Sequence, residues 1–225
     1  MFRNRQTFLF AAVMAAATAV LCGGCSDSGI AKAIAESRYA KDDISRYATV
    51  TIGTQTWTAR NLDLKTGDSW CYDNDQSNCE EYGRLYDYYT AVRICPNGWR
   101  LPTVDDWRVL IENTGGTGKT PYDNSGRAPE NLRAKRGWSS GHQGTDAYGF
   151  SALPGGNVYN GNNGNDFNEA GESGYWWATG TYYDERRAYS VMIRSSDMGK
   201  YGQAQYIEIL MGGESEGQSV RCIKE

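Results

Sequence analysis

The chain has 225 residues, a formal net charge of −4, 27 glycines, 7 tryptophans and 16 tyrosines. That length accommodates one ordinary domain with attachments, and the aromatic content is ample for its core. An acidic chain without a basic cluster excludes nucleic acid as an expected partner, because phosphates demand lysine and arginine.

Arg3 and Arg5 precede an apolar run over residues 8–21, the charged and hydrophobic regions of an export signal. The run is shorter than the ~20 residues of a comfortable membrane span. Cys22-Gly-Gly-Cys25 follows, then the polar Ser26-Asp27-Ser28. Small residues before a cysteine resemble a bacterial lipobox with Cys25 as the lipid acceptor, although Cys22 stands where leucine is usual. Residues 1–24 are therefore expected to be a lipoprotein signal peptide and 25–47 a tether, partly helical or flexible. Ser26 carries no aspartate-type inner-membrane retention signal. The expected location is the outer membrane, with the chain exported and anchored at the cell surface. An ordinary secretory signal is the alternative.

The chain has six cysteines. Removing Cys22 with the signal and Cys25 to the lipid leaves Cys71, Cys79, Cys95 and Cys222, an even number that reads as disulfides in an exported protein. Four cysteines allow three connectivities. The preferred pairing closes a local loop through Cys71–Cys79 and ties the middle of the chain to its end through Cys95–Cys222. No metal site is expected: there is no CxxC pair, and the single histidine, His142, has no ligand-like neighbour. No cofactor is expected.

The domain proper spans residues 48–225. Over 48–64 the pattern alternates with period two around Gly53-Thr54, which predicts a β-hairpin. Residues 70–79 read as a turn-rich loop clasped by its cysteines. Asp73, Asp75 and Ser77 imitate the first half of a calcium loop, but glycine and the closing carboxylate are missing. Residues 80–92 place Leu85, Tyr88, Tyr89 and Val92 at helical spacing, predicting a first helix. Pro96-Asn97-Gly98 is a turn, Trp99-Arg100-Leu101 a short extended piece stopped by Pro102. Thr103 with Asp106 forms an acidic capping box before a helix whose apolar face is Val104, Trp107, Leu110 and Ile111. Gly115-Gly116 ends that helix.

Residues 129–135 suggest a short helix. In the turn-rich 137–156, Tyr148, Phe150 and Leu153 are expected to point inward. Residues 157–174 are nearly all Asn, Gly, Asp and Glu and read as a long solvent loop. The stretches 175–179, 187–194, 203–211 and 219–223 read as successive antiparallel strands. Helices early and a meander late make an α+β domain.

The motifs IGTQTW, WCYDND, YGRLYDY, CPNGWRLPT, GTDAYGFSALPGG, YWWATG and SVRCIKE together resemble the Fibrobacter succinogenes major paralogous domain, from about Thr49 to Glu225. The resemblance implies a C-type-lectin-like fold with paired N- and C-terminal strands, distantly similar to formylglycine-generating enzymes. It implies an exported, often lipid-anchored protein and leaves the biochemical role open.

The leading functional expectation is a non-catalytic binding module for plant polysaccharide or another extracellular glycan. Its candidate binding residues are Tyr159, Asn162, Asn163, Asp166, Tyr175, Trp176 and Tyr182, since aromatic faces stack on sugar rings while amides and carboxylates bond hydroxyls. The plainer reading makes each of these aromatics a core or strand residue. The calcium-dependent sugar motifs of true C-type lectins are absent. A structural or adhesion protein that binds a surface protein is the alternative. No catalytic residue is expected. A formylglycine-type enzyme would need two reactive cysteines near the C-terminus, and only Cys222 is there; no GxSxG element accompanies His142.

Overall fold

The computed structural model describes residues 44–119, 122–123, 126–139, 141–161, 164–180, 188–195, 205–213 and 216–225. The chain divides after Ser37. The stretch expected to be a signal peptide, the expected lipid acceptor Cys25 and the expected tether up to residue 43 lie outside the described residues.

β1 (Thr49–Ile52) and β2 (Gln55–Thr58) form the predicted hairpin, turning at Gly53 with φ 60. Alternation sends Ile52 and Trp57 inward and leaves Thr49 and Thr51 in solvent. The C-terminal strand lies beside the opening hairpin of the domain. Ile223 of β13 (Ile223–Lys224) pairs with Trp57 on one side and with Arg100 of β5 (Trp99–Arg100) on the other. The resulting sheet has the order β1-β2-β13-β5. Residues 219–222, expected within that last strand, belong to no named strand. Ser219 instead makes a single parallel bridge to Trp176, and Arg221 turns its side chain into the core.

The helix predicted over 80–92 is two helices. α1 (Gln76–Tyr82) starts on Asp75, whose carboxylate accepts from the Ser77 N–H, and stops at Gly83. Gly83 has φ 80 and ψ −168, and a Cβ there would lie 2.8 Å from the Leu62 carbonyl oxygen. That backbone is open to glycine alone. Leu85 and Tyr86 then form β4, paired with β3 (Ser69–Trp70), and α2 (Tyr88–Ile94) restarts under an Asp87 cap. Helical spacing alone read through the Gly83 break. The clasped loop is likewise more ordered than its composition suggests: residues 72–74 make a 3₁₀ turn, and Cys79 sits inside α1.

α3 (Val104–Asn113) has the capping box in full. The Thr103 hydroxyl accepts from the Asp106 N–H, and the Asp106 carboxylate accepts from the Thr103 N–H. Val104, Trp107, Leu110 and Ile111 are its buried face. α4 (Ala128–Leu132) carries Pro129 in its first turn, where the missing N–H costs nothing.

The larger sheet runs β12-β7-β9-β10-β11-β6, with β8 paired to the outside of β7. Its members are β6 (Tyr122–Asp123), β7 (Gly155–Gly161), β8 (Gly164–Ala170), β9 (Ser173–Ala178), β10 (Tyr189–Ser195), β11 (Gln205–Met211) and β12 (Glu216–Gly217). The predicted meander is β9-β10-β11, all antiparallel. The stretch 157–174, expected as a loop, is mostly the β7–β8 hairpin, in register from Gly155↔Ala170 to Gly161↔Gly164. Polar composition does not preclude a strand whose ladder is satisfied.

Two apolar clusters hold the domain. One joins α3 to the sheets through Trp57, Trp107, Phe150, Trp176, Val191 and Ile207. Trp57, Trp107, Phe150 and Trp176 pack ring on ring at centroid distances of 5.2–5.9 Å. The other gathers Leu62, Tyr86, Ile94, Leu101, Trp177, Val220 and Cys222. Neighbouring Trp176 and Trp177 leave opposite faces of β9 and enter one cluster each, so this strand is covered on both sides. Phe150 and Leu153 point inward, whereas Tyr148 is 41% exposed, contrary to its expected burial. Both preferred disulfides are present, Cys71–Cys79 and Cys95–Cys222.

Candidate functional site

The β12-β7-β8 edge brings together side chains that are far apart in sequence. Tyr159 of β7 stands opposite Glu216 of β12 on one side and Asp166 of β8 on the other. Directly opposed residues share a face, so the three form a row of carboxylate, phenol and carboxylate. Tyr159 is 48% exposed and Asp166 is exposed. The next row on that face is Asn157 opposite Asn168. The opposite face is packed: Val158 is buried, and the ring of Phe167 lies 5.4 Å from that of Tyr72. Gly217 keeps the strands close, because a Cβ there would meet Val158 and Trp70 at 2.5–2.9 Å.

Glu216 is braced by the Gly213 N–H at 3.1 Å and by Gln218 Nε2 at 2.8 Å. A hydrogen bond to Glu216 raises the Tyr159 hydroxyl above its ordinary pKa, with the carboxylate's charge adding to it. Beside this row Tyr175 donates its hydroxyl to Glu169 Oε2 at 2.6 Å, and Arg194 Nη1 reaches Glu169 Oε1 at 3.3 Å. Burial first, then that bond to Glu169, raises the Tyr175 hydroxyl far above the usual phenol range. Glu169 has φ 64, a left-handed backbone that breaks strand alternation and turns its carboxylate toward the tyrosine. Asn157 Oδ1 is buried and has no hydrogen-bond partner among the described residues.

Of the seven predicted binding residues, Tyr159 and Asp166 share one row and Tyr175 stands beside it. Trp176 does not belong with them. It is 0% exposed, and its Nε1 donates to Asn61 Oδ1 at 2.8 Å, so its ring faces belong to the core. Asn162, Asn163 and Tyr182 lie outside the described residues.

Over residues 50–224 the sequence matches the Fibrobacter succinogenes major domain. The chain belongs to that family. No curated protein and no solved structure matches it. In this Fibrobacter succinogenes major domain the matched stretch runs from the first strand to the last, taking in both disulfides and the whole Tyr159 row.

Five residues of the candidate site escaped the sequence reading: Asn157, Asn168, Glu169, Arg194 and Glu216. The Gly-Asn-Asn-Gly at 161–164, with small polar residues between two runs, is a hairpin signal that would have exposed the first three. Nothing local marks Arg194 or Glu216; only strand pairing brings them near. Elsewhere a recess of about 150 Å³ is lined by Arg60, Asn61, Glu81, Tyr82, Arg136 and Leu153. It is smaller than a usual ligand pocket of roughly 300–1,000 Å³. Its Arg136 and Glu81 already pair with each other. The adjoining recess of about 220 Å³ between Lys135, Asp146 and Leu153 also falls below that roughly 300 Å³ limit, which leaves the tyrosine row as the better candidate. Among the described residues no cluster of three or more His, Cys, Asp or Glu is arranged to hold a metal ion.

Proposed function

We propose that this member of the family is a non-catalytic binding module for an extracellular glycan, plant polysaccharide in the first place, held at the outer cell surface by a lipid on Cys25. The observation that carries the reading is the exposed Tyr159 set between Glu216 and Asp166. A phenol ring offers an apolar face for the C–H side of a pyranose, and flanking carboxylates accept from its hydroxyls. The acidic surroundings, with Glu169 nearby, favour a neutral sugar over a uronate. A C-type-lectin-like fold is the architecture we infer, supported by the pairing of Ile223 with Trp57. The non-catalytic character is supported by the state of Cys222, which is fully buried in a disulfide and has no thiolate to offer.

Retention on cellulose and xylan, with a glycan array for finer class, tests the proposal. Tyr159→Ala is expected to weaken binding about tenfold, the scale of one lost aromatic contact. Wild-type protein that passes every matrix unretained would end the glycan reading. The anchor is tested separately, by palmitate labelling of wild type and its loss in Cys25→Ala.

A protein partner is the second reading, and one observation favours it. β8 pairs only with β7 among the described residues, so its outer edge offers main-chain groups to an added strand. Cross-linking on intact cells with mass spectrometry separates the two.

A further inference from the structure

Arg84 is a buried cation whose charge is spent on sulfur. The residue is 7% exposed. Its Nε donates to Ser69 Oγ at 2.9 Å and its Nη2 to the Ser69 carbonyl at 2.9 Å. Its Nη1 lies 3.3 Å from Cys71 Sγ and 3.3 Å from Cys79 Sγ, the two halves of one disulfide. Among the described residues no carboxylate contacts it. A disulfide sulfur is neutral and a weak acceptor, so it compensates a buried guanidinium poorly. A thiolate at the same place would be a full counter-charge within hydrogen-bonding distance, the setting that lowers a cysteine pKa.

We propose that Cys71–Cys79 is a redox-labile disulfide, opened by a dithiol reductant, and that Arg84 makes it so by holding the thiolate that reduction releases. The exchange balances without a further reagent. A thiolate of the dithiol bonds to one protein sulfur, and the S–S bond breaks with its electron pair on the other, which leaves facing Arg84. The reductant's second thiol, deprotonated, then attacks the mixed disulfide, closes the reductant's own disulfide and frees the first protein sulfur. Two electrons pass from the dithiol to the cystine, and the two protons given up by the dithiol end on the cysteines or in solvent. A leaving thiolate of lowered pKa leaves faster, so the guanidinium favours both the rate and the equilibrium.

Cys95–Cys222 has a different setting. Burial does not separate the two, since Cys71 and Cys79 are 7% and 3% exposed and Cys222 is fully buried; the difference is that no cation touches either sulfur of Cys95–Cys222 among the described residues. The two disulfides should therefore separate in a redox titration. Opening the labile one would also loosen the segment that carries Tyr72, on which Phe167 of β8 rests. The redox inference itself stands whether or not a glycan binds.

The test equilibrates the full chain against graded ratios of reduced to oxidised dithiothreitol, quenches with iodoacetamide and reads each cysteine by peptide mass spectrometry. Cys71 and Cys79 are expected to open at a ratio at least about tenfold lower than Cys95 and Cys222. Arg84→Met is expected to raise the ratio they need by about tenfold, the scale of a lost charge-assisted hydrogen bond, and Arg84→Lys to restore part of it. The sign with pH is fixed: the gap between wild type and Arg84→Met is full above the ordinary thiol pKa of ~8.5 and closes as pH falls through the lowered one. Equal opening of both disulfides, or an Arg84→Met titration at pH 9 that matches wild type, overturns the proposal. Should Arg84→Met fail to fold, the alkylation rate of the mildly reduced wild type against pH decides. A thiol titrating well below ~8.5 supports the proposal, and an ordinary or raised thiol pKa overturns it.

Discussion

Asn61 lies on an irregular stretch after β2, and its amide joins segments drawn from the whole chain. Its Nδ2 donates to the Tyr82 carbonyl at 2.8 Å and to Ser219 Oγ at 3.2 Å. Its Oδ1 accepts from Trp176 Nε1 at 2.8 Å and from Arg221 Nε at 2.7 Å. Arg221 is itself fully buried, donating to the carbonyls of Thr58, Phe150 and Ser151 and lying 4.5 Å from the Phe150 ring. Burial pushes its guanidinium down to about 9, and the Asp146 carboxylate nearby partly offsets this. Carbonyl oxygens and a ring face stand in for a counter-ion. Asn61→Ala removes an acceptor from a buried cation and a buried indole together, so a loss of roughly 3–5 kcal/mol in urea unfolding is expected. A loss below about 1 kcal/mol would mean that water replaces the amide without difficulty.

At the scale of elements, α3 shows how a local code and a tertiary contact combine. The Thr103–Asp106 box belongs to the sequence, but Arg100 from β5 adds a bidentate pair to the same carboxylate, at 2.6 and 3.1 Å. Burial alone would raise the Asp106 pKa. Hydrogen bonds from Arg100 and Thr103 outweigh it, and the carboxyl is held below the ordinary range. A carboxylate depressed in the folded state stabilises it above the unfolded pKa of ~3.9, and the gain is lost as pH falls through the folded value. Asp106→Asn is therefore expected to cost about 1–2 kcal/mol at pH 7, with the difference from wild type shrinking below pH ~4 in acid titrations of stability. The magnitude is modest because Arg100's side chain is 40% exposed and solvent screens the pair. A difference independent of pH down to ~2 would assign the effect to the cap geometry and not to charge.

Over the whole molecule, the two disulfides differ in what they close. Cys95–Cys222 spans 127 residues and ties α2 to the last strand, while Cys71–Cys79 spans 8. On the chain-entropy relation the long link contributes about 5 kcal/mol and the short one about 2.5 kcal/mol. Urea unfolding of Cys95→Ala/Cys222→Ala against Cys71→Ala/Cys79→Ala is expected to show that order. The reverse order would place the short link's contribution in local packing around Arg84 and not in chain entropy.

Some of this could be read in the chain. Thr103 and Asp106 are three residues apart, Gly53 marks a turn between alternating threonines, and Val104, Trp107, Leu110 and Ile111 repeat at helical spacing; such signals act within a few residues, so local order expresses them. The α+β class and the four bridge cysteines followed from the same kind of reading. Apart from the Cys95–Cys222 link, what acts across the chain was not legible. Trp176 and Tyr175 are neighbours in sequence, yet Trp176 is fully buried with its Nε1 on Asn61, while Tyr175, on the face it shares with buried Trp177, reaches Glu169 with its hydroxyl. Alternation sets the face, and only the neighbouring strands decide whether that part of it is core or candidate site. Residues 157–174 looked like a loop by composition, and only the pairing of β7 with β8 and β12 turned them into a sheet edge. The Glu216–Tyr159–Asp166 row spans 57 residues from Tyr159 to Glu216; no spacing rule reaches that far, since register between distant strands is set by the packing of the whole sheet.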